Sequence, residues 1–177
     1  MALSKIDPAG LDIGQIGGRR NLIINGAMQV AQRGTSFTGL TGAMDQYVLD
    51  RMRIAQNNSP STVLSVTQST EAPDDFGSSY KVEITTGSAL SSSQTLGIET
   101  RLEAQNLQGL AYGTSGAKQV TLSFYVRSSL TGTYAIWLYT PDGARTSSIT
   151  YTIDSANTTV KRQVKNPETN KIEMQDT

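Results

Sequence analysis

The chain has 177 residues, no Cys and no His, and fifteen basic residues against fifteen acidic ones. That length buries a single core without disulfides or metals. The missing residue types exclude a disulfide framework, a thiol nucleophile and Ser–His catalysis, and they remove the commonest metal ligand.

Balanced charge offers no clustered basic surface for a phosphate backbone, so no nucleic-acid partner is expected. The charged fraction is 17%, below the ~25% usual for soluble domains. Ser and Thr fill the gap with 41 residues. Such a surface suits either a Thr-rich β protein or a component of an assembly or of an extracellular structure. No apolar run approaches the ~20 residues that span a bilayer, so no membrane insertion is expected. Residues 1–10 lack the charged-then-apolar plan of a secretion signal.

In chain order, residues 1–20 are rich in Gly, with Pro8 and the Gly17–Gly18 pair, and predict an extended N-terminal arm. Strand texture follows over 21–160. Early strands are expected at 21–32, 47–54, 62–67 and 80–85, with Leu22-Ile23-Ile24 continuous rather than alternating. The charged neighbours Asp50 and Arg51 fall inside the second of these, where an ion pair would fix register. Ile98, Leu102, Ala104 and Leu107 among polar residues suit a short helix ended by Gly109 or Gly113.

Val120, Leu122, Phe124 and Val126 alternate with Thr121, Ser123 and Tyr125, which predicts a strand with one face on the core. After a turn at 128–132, Tyr134, Ile136 and Leu138 share one face, and Ala135, Trp137 and Tyr139 share the other. Pro141-Asp142-Gly143 predicts a tight turn, because Pro presets φ and Gly accepts a positive one. Ile149, Tyr151 and Ile153 alternate with Thr150 and Thr152 in the next strand. These three strands predict an antiparallel meander. Residues 161–177 turn abruptly charged and predict an exposed tail. The whole predicts an all-β fold, an antiparallel β-sandwich of jelly-roll type with one short helix, an N-terminal arm and a charged C-terminal tail.

No catalytic arrangement, cofactor site or metal site is expected. Gly14-Gln15-Ile16-Gly17-Gly18 follows no strand and lacks the Lys of a phosphate loop. Paired carboxylates hydrolyse glycosides, but no rule selects a pair among Asp45, Asp50, Asp74, Asp75, Glu83, Glu99 and Glu103. Asp74-Asp75 reads as turn chemistry, with calcium ligation as its alternative. Trp137 and Tyr139 are the candidate ligand-binding residues. An aromatic face stacks on sugar rings, and the alternative is packing in the core or between subunits.

Several of these segments carry a resemblance. The run Arg20-Asn21-Leu22-Ile23-Ile24-Asn25-Gly26-Ala27-Met28-Gln29-Val30-Ala31-Gln32-Arg33-Gly34 resembles the opening of a family of bacteriophage tail-fibre-like virion proteins, of the kind met in marine and cyanobacterial phages. Tyr47-Val48-Leu49-Asp50-Arg51-Met52 is similar to that family's Asp-Arg-aromatic strand, with Met52 in the aromatic's place. Glu103-Ala104-Gln105-Asn106-Leu107-Gln108-Gly109-Leu110 resembles its short helix, and 118–128 resembles its central strand. The likeness runs from Arg20 to Val160.

The resemblance implies a carbohydrate-binding-module-like jelly roll over 21–160 and an arm over 1–20 that docks to the virion. It implies partners that are other copies of the chain, as a homotrimer, together with other virion proteins and a host surface glycan. The implied location is the virion, assembled in the host cytoplasm, and the implied function is a tail fibre for host attachment, not an enzyme. A capsid decoration or head fibre and a free carbohydrate-binding module are the alternatives. The family's closing strands have no counterpart beyond Val160, so an unpaired edge is expected there, covered by another subunit or by the arm.

Overall fold

A computed structural model describes residues 21–57, 61–87, 89, 91–141, 145–165 and 173–176. The chain is all-β, with antiparallel sheets, one short helix and no barrel. It divides into two compact units, Met1–Leu107 and Gln108–Thr177.

The first unit is a sandwich of two three-stranded sheets. One has the order β1 (Ser36–Thr41), β4 (Val63–Ser69), β5 (Ser79–Thr86). The other has the order β2 (Met44–Tyr47), β3 (Met52–Asn57), β6 (Thr95–Thr100). The central strands carry the core, because only they have a neighbour on both sides. Leu64 and Val66 of β4 meet Ile54 of β3 and Val48 of the β2–β3 turn, all fully buried. Phe37, Leu40, Tyr80, Val82 and Leu96 close around them. In β1 the pairing with β4 skips between Phe37 and Leu40. Gly39 stands at that bulge with φ +67°, a conformation that costs a residue without Cβ nothing.

The second unit pairs β8 (Gly132–Thr140) with β9 (Arg145–Ile153) as a long hairpin. Its other sheet has the order β11 (Glu173–Asp176), β10 (Val160–Lys165), β7 (Thr121–Val126). Ile153 is buried, and the Phe124 ring meets the Tyr151 ring edge-on at 5.5 Å. Tyr151 also stacks on Tyr134 at 5.7 Å. The buried Arg162 donates from Nη2 to the Thr152 carbonyl at 2.8 Å, which ties β10 to β9.

Several expectations need correction. Residues 21–32 form turns, not a strand, and 47–54 is a hairpin, not one strand. The Met52 amide donates to the Leu49 carbonyl at 3.0 Å, and Arg51 takes φ +67°, so the chain reverses through Leu49, Asp50 and Arg51. The expected helix shrinks to α1 (Ala104–Leu107) and a 3-10 turn at Gln108–Leu110. Ile98 lies in β6 and pairs with Ile54 in register. A helix that short has little stability of its own, and strand pairing next to a buried neighbour wins.

The expected meander is also broken. β7 pairs with β10, not with β8, because each of the two sheets has one apolar face and stacking the faces covers both. Residues 161–165 are a strand, not a tail. Their charges do not oppose this, since Arg162 points inward to a carbonyl while the Lys161 ammonium lies 5.8 Å over the Tyr125 ring. β10 and β11 supply pairing strands after Val160, where an unpaired edge was expected. The N-terminal arm, residues 1–20, lies outside the described residues.

Candidate glycan platform

Period-two alternation along β8 and β9 sorts their side chains onto two faces. Tyr134, Ile136, Ile149, Tyr151 and Ile153 turn inward. Thr133, Ala135, Trp137 and Tyr139 turn outward on β8. Opposite them, in register, stand Thr152, Thr150, Ser148 and Thr146, all exposed. The Thr133-to-Tyr139 row spans ~20 Å at ~3.4 Å per residue.

Trp137 and Tyr139 are 60% and 62% exposed, so neither belongs to the core. They stand two residues apart on one strand, ~6.7 Å along it. Trp137 pairs with Ser148 and Tyr139 with Thr146. The outward rows therefore hold two large aromatic surfaces, one small alanine and hydroxyls, and no charged group. The other strand aromatics do not join them. Tyr151 lies inward, where burial and the nearby Tyr134 push its phenol up against the opposing pull of Arg162. Tyr125 lies on β7, in the other sheet of the unit. The expected turn at 141–143 falls at the β8–β9 connection, and residues 142–144 lie outside the described residues.

The outward position of Trp137 and Tyr139 is legible in the alternation. The hydroxyl row of β9 is legible too at Thr150 and Thr152, and Thr146 and Ser148 extend the same period. What was hidden was the register that sets Ser148 opposite Trp137 and Thr146 opposite Tyr139.

Four of the seven candidate carboxylates are engaged in hydrogen bonds and ion pairs, all within the first unit. Arg53, nearly buried, bonds Asp45 and Glu99 on the two flanking strands. Arg101 reaches Asp45 at 3.7 Å. Arg51 bonds Glu103 at 2.9 Å, which holds the Glu103 carboxyl below its ordinary range, with help from Gln105. Asp50 and Arg51 thus do not pair with each other. Asp50 accepts from the Gln32 amide at 2.6 Å and faces Arg33 at 3.6 Å. Asp75 takes φ +70° in a turn closed by the Phe76 amide on the Pro73 carbonyl. Carboxylates held by arginine are acceptors in ion pairs, not a free acid and base facing each other across a cleft. Among the described residues, no group of three or more acidic, His or Cys side chains is placed to hold a metal. No helix among them is long and apolar enough to cross a membrane.

No family model, curated protein or solved structure matches the chain.

Proposed function

We propose that the chain is a non-catalytic structural and attachment component of a bacteriophage particle, built like a tail fibre, whose β8–β9 face binds a host surface glycan. The observation that carries the binding half is the Trp137–Tyr139 pair, exposed side by side on a strand and flanked by hydroxyls. A pyranose ring presents apolar C–H faces and a hydroxyl rim. The aromatics match the first and the Thr and Ser rows match the second. Because the face carries no charge, the fitting ligand is an uncharged sugar chain laid along β8. Affinity from two rings is weak, and repetition of the site on a particle raises it through effective concentration. The virion half is supported by the resemblance of residues 20–160 to the phage proteins.

Trp137 is the single tryptophan, so its fluorescence reports on this face directly. Titration with neutral host oligosaccharides is expected to shift Trp137 emission. Trp137→Ala and Tyr139→Ala are expected to abolish retention on a glycan array while leaving the circular-dichroism spectrum unchanged. Retention that survives both substitutions sinks the binding half. Mass spectrometry and immunolabelling of purified particles test the virion half. Tail labelling supports the fibre, head labelling turns the reading to a capsid decoration, and absence from particles defeats both.

A further inference from the structure

We infer that Asn25 is a deamidation site that the fold shields, so that the chain ages chemically when residues 21–34 open. Asn25-Gly26 is the sole Asn–Gly pair in the sequence. Glycine, lacking Cβ, leaves its backbone nitrogen the least hindered towards a preceding carboxamide. In a free chain the Gly26 nitrogen attacks Asn25 Cγ. An N–C bond forms, the Cγ–Nδ2 bond breaks, ammonia leaves and a succinimide ring remains. Water opens that ring at either carbonyl and yields aspartate or its iso-linked isomer, with no other reactant.

In the folded chain that carboxamide is held on three sides. Asn25 Nδ2 donates to the Val30 carbonyl at 2.9 Å and to the Asp50 carbonyl at 2.8 Å. Its Oδ1 accepts from the Val30 amide at 2.9 Å. The backbone of Asn25 is itself left-handed, φ +58°, and its carbonyl accepts from the Met28 amide at 2.9 Å. Turning Cγ towards the Gly26 nitrogen breaks the side-chain bonds. From β4, Gln68 Nε2 holds the same loop by donating to the Met28 and Gln29 carbonyls at 2.7 and 3.1 Å.

The product does not fit where the amide did. A carboxylate has no N–H for the Val30 and Asp50 carbonyls, and it sets a negative charge against two oxygens. The reaction is therefore slow while the loop is closed, and it leaves a chain that recloses poorly.

The test is peptide mapping of the full-length protein after incubation in mildly alkaline buffer, with and without urea. Deamidation at Asn25 is expected to be at least about tenfold slower in the folded protein, since a closed segment reacts through its open fraction. Gln68→Ala is expected to raise the folded-state rate several-fold and leave the rate in urea unchanged. Gly26→Ala is expected to slow the reaction in urea. Asn25→Asp, the product itself, is expected to lower the urea midpoint or fail to fold. Equal rates with and without urea, or a folded-state rate that Gln68→Ala does not move, overturns the shielding. An unchanged midpoint for Asn25→Asp overturns the misfit of the product.

Discussion

Tyr80 lies on β5 opposite Gln68 and packs against the core of the first unit. Its hydroxyl is buried and has no hydrogen-bond partner among the described residues. An unpartnered buried hydroxyl costs free energy, so Tyr80→Phe is expected to be neutral or to stabilise by up to ~1 kcal/mol in urea unfolding. Burial also pushes the Tyr80 phenol above its ordinary range. The folded protein then holds this proton more tightly than the unfolded chain, whose tyrosines titrate near ~10. Stability is complete below that pH and falls as pH rises through and beyond it. Tyr80→Phe is expected to flatten this alkaline limb but not abolish it, because burial raises Tyr151 as well. Glu103 gives the opposite sign. Its carboxyl is depressed by Arg51, so its contribution is present at neutral pH and is lost as pH falls through its folded value. Glu103→Gln is expected to flatten the acid limb of the same titration.

At the scale of elements, the β2–β3 turn is held from outside itself. The Asp50 amide donates to the Val30 carbonyl at 3.2 Å, and the Asp50 carbonyl and carboxylate receive Asn25 and the Gln32 amide. Residues 25–32 are thus bound to the hairpin turn by hydrogen bonds, not by strand pairing. Asn25→Gly keeps the positive φ and removes the side-chain bonds, so it isolates the clamp. It is expected to cost about 1–3 kcal/mol in urea unfolding. Ile54→Ala empties a fully buried position between the two sheets and is expected to cost about 2–5 kcal/mol. These elements also show what the sequence made legible. The strands at β4, β5, β7, β8 and β9 follow from alternating apolar residues. Residues 21–32 are equally apolar, but turns satisfied by Asn25 replaced pairing there. β2 and β3 merged into one expected strand because Leu49 is as apolar as its neighbours, although it lies buried in a turn. β6 passed for a helix because Ile98, Leu102 and Leu107 match that period too, and a short apolar run does not distinguish the two.

For the whole molecule, the proposed fibre role has a consequence for assembly. Fibre components repeat, and closed rotational symmetry is the usual form for identical chains. Sedimentation velocity is expected to give a trimer. A stable monomer at working concentration would remove the multivalency on which a two-ring glycan site depends. Loss of the trimer in Trp137→Ala would instead make that face a contact between copies. The division at Leu107 and Gln108 was not visible beforehand, since the expected short helix runs up to it without a linker.

Composition and alternation were sufficient for the all-β class, for the absence of His and Cys chemistry, and for the outward placing of Trp137 and Tyr139. These are local properties. A pleated backbone turns successive side chains to opposite faces wherever the strand is later placed. Partner choice between strands is not local. β7 could have joined β8 across a short turn, yet it pairs with β10, and the charged residues after Val160 became part of that sheet. That choice rests on edge-on packing of Phe124 against Tyr151 and on one arginine reaching one carbonyl. Asn25 and Asp50, 25 positions apart, became one clamp for the same reason. Contacts between distant residues gain their energy from burial and geometry, and no period in the chain encodes them.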